Sequence, residues 1–143
     1  MTFNNRQHGG GRQDFRQRTE RTFDGKFSPA WITSGITQET VAFSEKLGEF
    51  IKNEKLTTSQ IRNVFGEIKR IQLKGFDSEK PSFYLLKPKM AYAAKRADNL
   101  GIKTLKKIFD EAHAEVSDKI TYQNFVDFFE SILAYHKAYG GRD

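Results

Sequence analysis

His8, His113 and His136 are the only side chains here whose ordinary pKa lies near neutrality, and the chain has no cysteine. His113 stands between Glu111 and Glu115, one base with two carboxylates, a set that could in principle move a proton. No HExxH or other zinc-ligand spacing surrounds it. His136 falls in the middle of an apolar helical face, where a hydrogen-bonded core imidazole is expected, and His8 belongs to a polar stretch. There is no GxxxxGK[ST] phosphate loop and no GxSxG elbow. Paired acids such as Asp110–Glu111 and Asp127/Glu130 read as solvated helix faces. No nucleophile has a base at a predictable distance, so no catalytic residue, metal site or cofactor is expected. An enzyme using His113 with Glu111 or Glu115 is the catalytic alternative.

What remains for chemistry is positive charge, and it is concentrated. The chain is net +6 over 143 residues, but residues 52–107 hold fourteen Lys/Arg against five Asp/Glu, net +9. Residues 27–51 are net −2 and residues 108–143 net −4. A block of cations on one surface is what neutralising phosphates requires. Arg62, Lys69 and Arg70 share a helical strip with the small residues Ser59 and Gly66. Lys89, Tyr92 and Arg96 form a second file with Lys95 at its edge, and a tyrosine between two cations suits stacking on a base or sugar.

The helices that must position these residues are legible from their ends and periods. In Leu56–Gly75, Thr57 and Gln60 have capping-box spacing and Leu56 and Ile61 staple spacing. Ile61, Val64, Phe65, Ile68, Ile71 and Gln72 make one stripe, and Lys74–Gly75 a cationic last turn with a glycine stop. Thr37 can cap a helix of 38–53 buried through Val41, Leu47, Phe50 and Ile51. Asp77 or Ser78 can cap a short turn containing Pro81, Phe83, Leu85 and Leu86. Pro88 is expected at the first position of a helix of 88–98, which Met90, Ala93, Ala94 and Ala97 would pack closely. Gly101 is expected to break the chain before a helix of 102–116. The last helix, 122–139, is expected to start at Thr121, with Ile120 stapled to Phe125. Its apolar face covers half its circumference, as for the central helix of a bundle.

No strand pattern, repeat or sustained heptad occurs. The expected fold is all-α, a compact bundle of about five helices over 31–143. Residues 1–30, rich in Arg, Gln, Gly and Asn, form a basic tail expected to be disordered, anchored by Pro29–Ile32. Arg6, Arg12, Arg16, Arg18 and Arg21 interleave there with Phe3, Phe15 and Phe23, a composition that can hold RNA through charge and stacking. No apolar run is long enough for a membrane span, and the first residues lack a signal peptide's apolar core. With 29% charged residues, a soluble cytoplasmic protein is expected.

Three segments, LTTSQIRNVFGEIKRI at 56–71, LKPKMAYAAKRADN at 86–99 and FVDFFESILAYHKAYGG at 125–141, together resemble the Csm-type small subunit of type III-A CRISPR effector complexes. The resemblance spans nearly all of 56–141 and leaves residues 1–35 outside. It implies a non-catalytic helical protein that assembles in several copies beside the backbone and large subunits, along a groove for guide RNA and target RNA in antiviral defence. It further implies that Arg62, Lys69, Arg70, Lys87, Lys89, Lys95 and Arg96 face RNA phosphates, with Lys52, Lys55 and Lys74 as weaker candidates. Such contacts position RNA without reading its sequence. Asp110, Glu115, Asp127 and Glu130 would then face a neighbouring subunit. Two binding alternatives stand beside this reading: a free-standing basic nucleic-acid-binding protein, and a scaffold whose basic middle meets an acidic protein.

Overall fold

The computed structural model describes residues 22–143. Five helices of twelve residues or more carry the fold: α1 Gln38–Asn53, α2 Arg62–Lys74, α3 Leu86–Ala97, α4 Leu100–His113 and α5 Lys119–Ala138, with short helices at Ala30–Thr33 and Lys80–Tyr84. This is the all-α bundle expected. Among the described residues the one β-type pairing is an isolated bridge between Thr57 and Arg142. No helix among them is long and apolar enough to cross a membrane.

Two helix starts follow their sequence signals. The Thr37 hydroxyl accepts from the Thr40 N–H, and the Thr40 hydroxyl accepts in turn from the Thr37 N–H at 2.9 Å. The Thr57 N–H donates to Gln60 Oε1 at 3.1 Å, over a single 3-10 turn, Thr58–Ile61, that leads into α2. Gly75 ends α2 with φ +102°, a conformation side chains rarely tolerate.

Elsewhere the structure departs from expectation, each time for a local reason. The last helix starts at Lys119 because Asp118 caps it: its carboxylate accepts from the Thr121 N–H at 2.8 Å and the Thr121 hydroxyl accepts from the Asp118 N–H at 3.0 Å. Thr121 is therefore the third helical residue, and Ile120 is 66% exposed rather than stapled to Phe125. α4 starts at Leu100 under an Asn99 cap, which puts Gly101 inside the first turn instead of at a break. Its role is close approach. A Cβ there would lie 2.7 Å from the Ile51 carbonyl oxygen and 2.9 Å from that of Glu54. Val116 lies beyond the end of α4. Pro88 sits third in α3, not first, still within the turn whose N–H groups have no intrahelical acceptor. On α1, Val41 is 40% exposed and Phe43 is buried in its stead. Of the segment expected to be a disordered tail, residues 1–21 lie outside the described residues, whereas Phe23 and Phe27 pack on the core. Phe23 meets Phe43 and Phe50, and Phe27 meets Trp31 and Phe128, at centroid distances of 5.4–5.8 Å. These rings supply the apolar burial that an Arg/Gly composition lacks.

α5 is the central element, burying Tyr122, Phe125, Val126, Phe128, Phe129, Ile132 and His136. α1 lies directly against it at Gly48, where a Cβ would stand 2.7 Å from Tyr135 Cβ and 2.8 Å from the His136 backbone nitrogen. Both C-terminal histidines are core residues. His136 Nε2 donates to the Leu56 carbonyl at 2.8 Å. His113 Nε2 donates to the Phe83 carbonyl at 2.8 Å, and its ring stacks on that of Phe83 with centroids 3.9 Å apart. Burial pushes the His113 imidazole below its ordinary pKa, opposed by the bond to Phe83.

Two measurements check this packing. Gly48→Ala has no room for its methyl against the α5 backbone and should cost about 1–3 kcal/mol, read as a lower urea midpoint than wild type. Because the folded pKa of His113 is lowered, the unfolded chain takes up the proton first. The stability this gives is fully present above about pH 6.5 and is lost as pH falls below it. Urea midpoints should drop between pH 7 and pH 5.5, and His113→Gln should flatten that slope; an unchanged slope would contradict the buried neutral imidazole.

Candidate nucleic-acid interface

α2 and α3 pack against each other through Val64, Ile68, Met90 and Ala94, all buried. On their solvent side they leave a groove of about 1080 Å³ lined by residues of the α2 lead-in and α2 (Ser59, Gln60, Asn63, Val64, Glu67) and of α3 (Pro88, Lys89, Tyr92, Ala93, Arg96, Ala97). The helical period explains the set. Positions 60, 63, 64 and 67 share one face of their segment, as 89, 92, 93, 96 and 97 share one of α3. Small Ala93 and Ala97 keep the floor low, and Gly66 beside the groove leaves open space, with nothing within 4 Å of where a Cβ would stand.

The expected RNA-facing residues divide into two groups. Arg62, Lys87, Tyr92, Lys95 and Arg96 are exposed, Tyr92 at 67%, and none has an ion pair or side-chain hydrogen bond among the described residues. Lys69, Arg70 and Lys89 have acidic partners. Lys69 pairs with Glu130 of α5. Arg70 binds both oxygens of Glu67, at 2.8 and 3.0 Å, as well as Glu79 at 2.8 Å and the Ser82 hydroxyl at 2.9 Å. Lys89 reaches Glu67 from across the groove at 3.6 Å. Those hydrogen bonds from Arg70 hold the Glu67 and Glu79 carboxyls below their usual range. Of the weaker candidates, Lys55 and Lys74 are exposed and Lys52 is half-buried. The file Lys89–Tyr92–Arg96 is therefore brought onto one groove, while the strip Arg62–Lys69–Arg70 is divided between solvent and internal ion pairs.

The acidic residues expected to meet a neighbouring subunit are partly engaged within the chain. Glu130 holds Lys69, Asp110 holds Lys106 at 2.6 Å, and Asp127 accepts from Gln123 at 2.8 Å. Glu115 stays half-exposed. His113 and His136 are both buried, and both spend Nε2 on main-chain carbonyls. His8 lies outside the described residues.

Two groove residues escaped sequence reasoning, Asn63 and Glu67. The signal for them was their spacing from Ser59 and Gln60, which places all four on the side of α2 next to its apolar stripe. An amide, an aromatic ring and an unpaired guanidinium on one wall-and-floor arrangement can stack on a planar group and bind an anion; they offer no nucleophile.

The family model described as Csm2 Type III-A matches residues 36–142. No curated protein and no solved structure matches the chain. The match begins just ahead of the Thr37 cap and runs through the end of α5, so it takes in all five long helices and both walls of the groove. The chain belongs to the Csm2 family, the Csm-type small subunits of type III-A CRISPR complexes.

Proposed function

We propose that this small subunit is a non-catalytic, cytoplasmic part of the RNA-guided complex, holding guide RNA and target RNA by their backbones through the face that α2 and α3 share. The observation that carries the reading is the distribution of unpaired charge. Of the net +9 in residues 52–107, Lys69, Arg70, Lys103 and Lys106 are taken up by internal acids. Arg62 on α2 and Lys95 and Arg96 on α3 are left pointing to solvent beside Tyr92, while Lys87, nine positions before Arg96, is exposed on the opposite side of α3, toward His113. Exposed cations not held in an ion pair stay available to phosphate, with Asp143 near Arg62 and Asp98 near Lys95. Arg70 and Lys69 serve the same face indirectly, by fixing α2 against α5 and the loop after it, and Lys89 stands at the groove edge. Backbone contacts of this kind accept any guide sequence. Several copies beside the backbone and large subunits would extend the face along the RNA.

Charge reversal at Arg62 and Arg96 together tests this. Both side chains are exposed, so the double variant Arg62→Glu/Arg96→Glu should fold and enter the complex. Its affinity for target RNA should fall, with the logarithmic salt slope reduced by about one unit per lost contact, two in all. Affinity and slope both unchanged at moderate salt would place the RNA on another face.

A further inference from the structure

The groove between α2 and α3 is tied at both ends and open in the middle. At one end Glu67 faces Lys89 at 3.6 Å. At the other, Gln60 Oε1 accepts from Asn99 Nδ2 at 3.1 Å. Gln60 and Glu67 stand seven positions apart, about 10 Å along a helical segment. Between the ties lie Asn63 from one wall and Tyr92 and Arg96 from the other, over a floor of Val64, Ala93 and Ala97. Asn63, Tyr92 and Arg96 have no side-chain hydrogen bond or ion pair among the described residues.

This middle section is not built for phosphate alone. Phosphate needs cations, but the section supplies one guanidinium, an aromatic face, an amide and a small apolar floor, and the Lys89 ammonium at its end is drawn to Glu67. An aromatic face with a low apolar floor suits a planar base, and a base is free to leave its stack and enter only where it is unpaired. The Asn63 amide carries both donor and acceptor, so it can meet the edge of any base. Resting on the RNA-binding reading above, we propose that Asn63, Tyr92 and Arg96 hold an unpaired nucleotide of single-stranded RNA, with the base on the Tyr92 ring and the phosphate on Arg96.

The test compares a labelled uridine-rich single strand with an RNA duplex of equal length, bound to the full chain and followed by anisotropy across a salt series. Tyr92→Leu should weaken single-strand binding roughly 5- to 150-fold, the range for losing one stacked base, with an unchanged salt slope and unchanged duplex binding. Tyr92→Phe should bind as wild type. Equal losses on strand and duplex, or full single-strand affinity in Tyr92→Leu, would overturn the unpaired-nucleotide site while leaving the basic face intact. A wild-type chain that binds neither RNA would overturn both readings together.

Discussion

Two main-chain carbonyls, those of Leu56 and Phe83, are each held by a buried imidazole, and the position of the groove depends on both. Leu56 immediately precedes the turn that launches α2, and Phe83 lies in the short helix that feeds α3. His136 of α5 takes the first carbonyl and His113 of α4 the second. A lone hydrogen bond contributes only about 1 kcal/mol net, but leaving a buried partner unsatisfied costs more. The pairs therefore act more as alignment than as glue. They register the two helices that line the groove against α4 and α5, which carry much of the core.

Around those pins the charges sort by position. Glu67 and Glu79 collect Arg70 into a network reaching Ser82, which ties α2 to the segment before α3. Glu130 draws Lys69 back toward α5. Each partly exposed pair is worth little singly. Collectively they fix which cations are spent within the chain and which stay exposed to solvent. The C-terminal residues add to the same corner: the Thr58 and Ser59 N–H groups donate to the carbonyls of Arg142 and Asp143 at 2.9 Å, closing the start of α2 beside Arg62.

Much of this was legible in the sequence because it rests on short-range periodicity. The Thr57–Gln60 cap, the stripe from Ile61 to Ile71, the small-residue face of α3 and the core placement of His136 all follow from neighbours within two turns. The misreadings involve competition or distance. Asp118 prevailed over Thr121 as a cap because a carboxylate is the stronger acceptor for the N–H groups of a first turn, and Ile120 was turned outward as a result. Gly101 and Gly48 are set by another helix's backbone, and nothing local announces that. Phe23 and Phe27 sit in an arginine-rich context, and only Trp31, Phe43 and Phe128 brought together in space reveal their burial. At the groove the same limit holds. The file on α3 was readable, whereas the diversion of Lys69 and Arg70 into ion pairs depended on Glu130 and Glu79 arriving from elsewhere in the chain.

We propose that α2 and α3 form the RNA-facing side of the subunit. Ultraviolet cross-linking of the assembled, target-bound complex, followed by mass spectrometry of the cross-linked peptides, reads that side directly. If α2 and α3 carry the RNA, adducts fall in peptides covering residues 56–70 and 86–99, Tyr92 foremost. Adducts confined to α1, to α5 or to the residues ahead of 36, with none on α2 or α3, would contradict it.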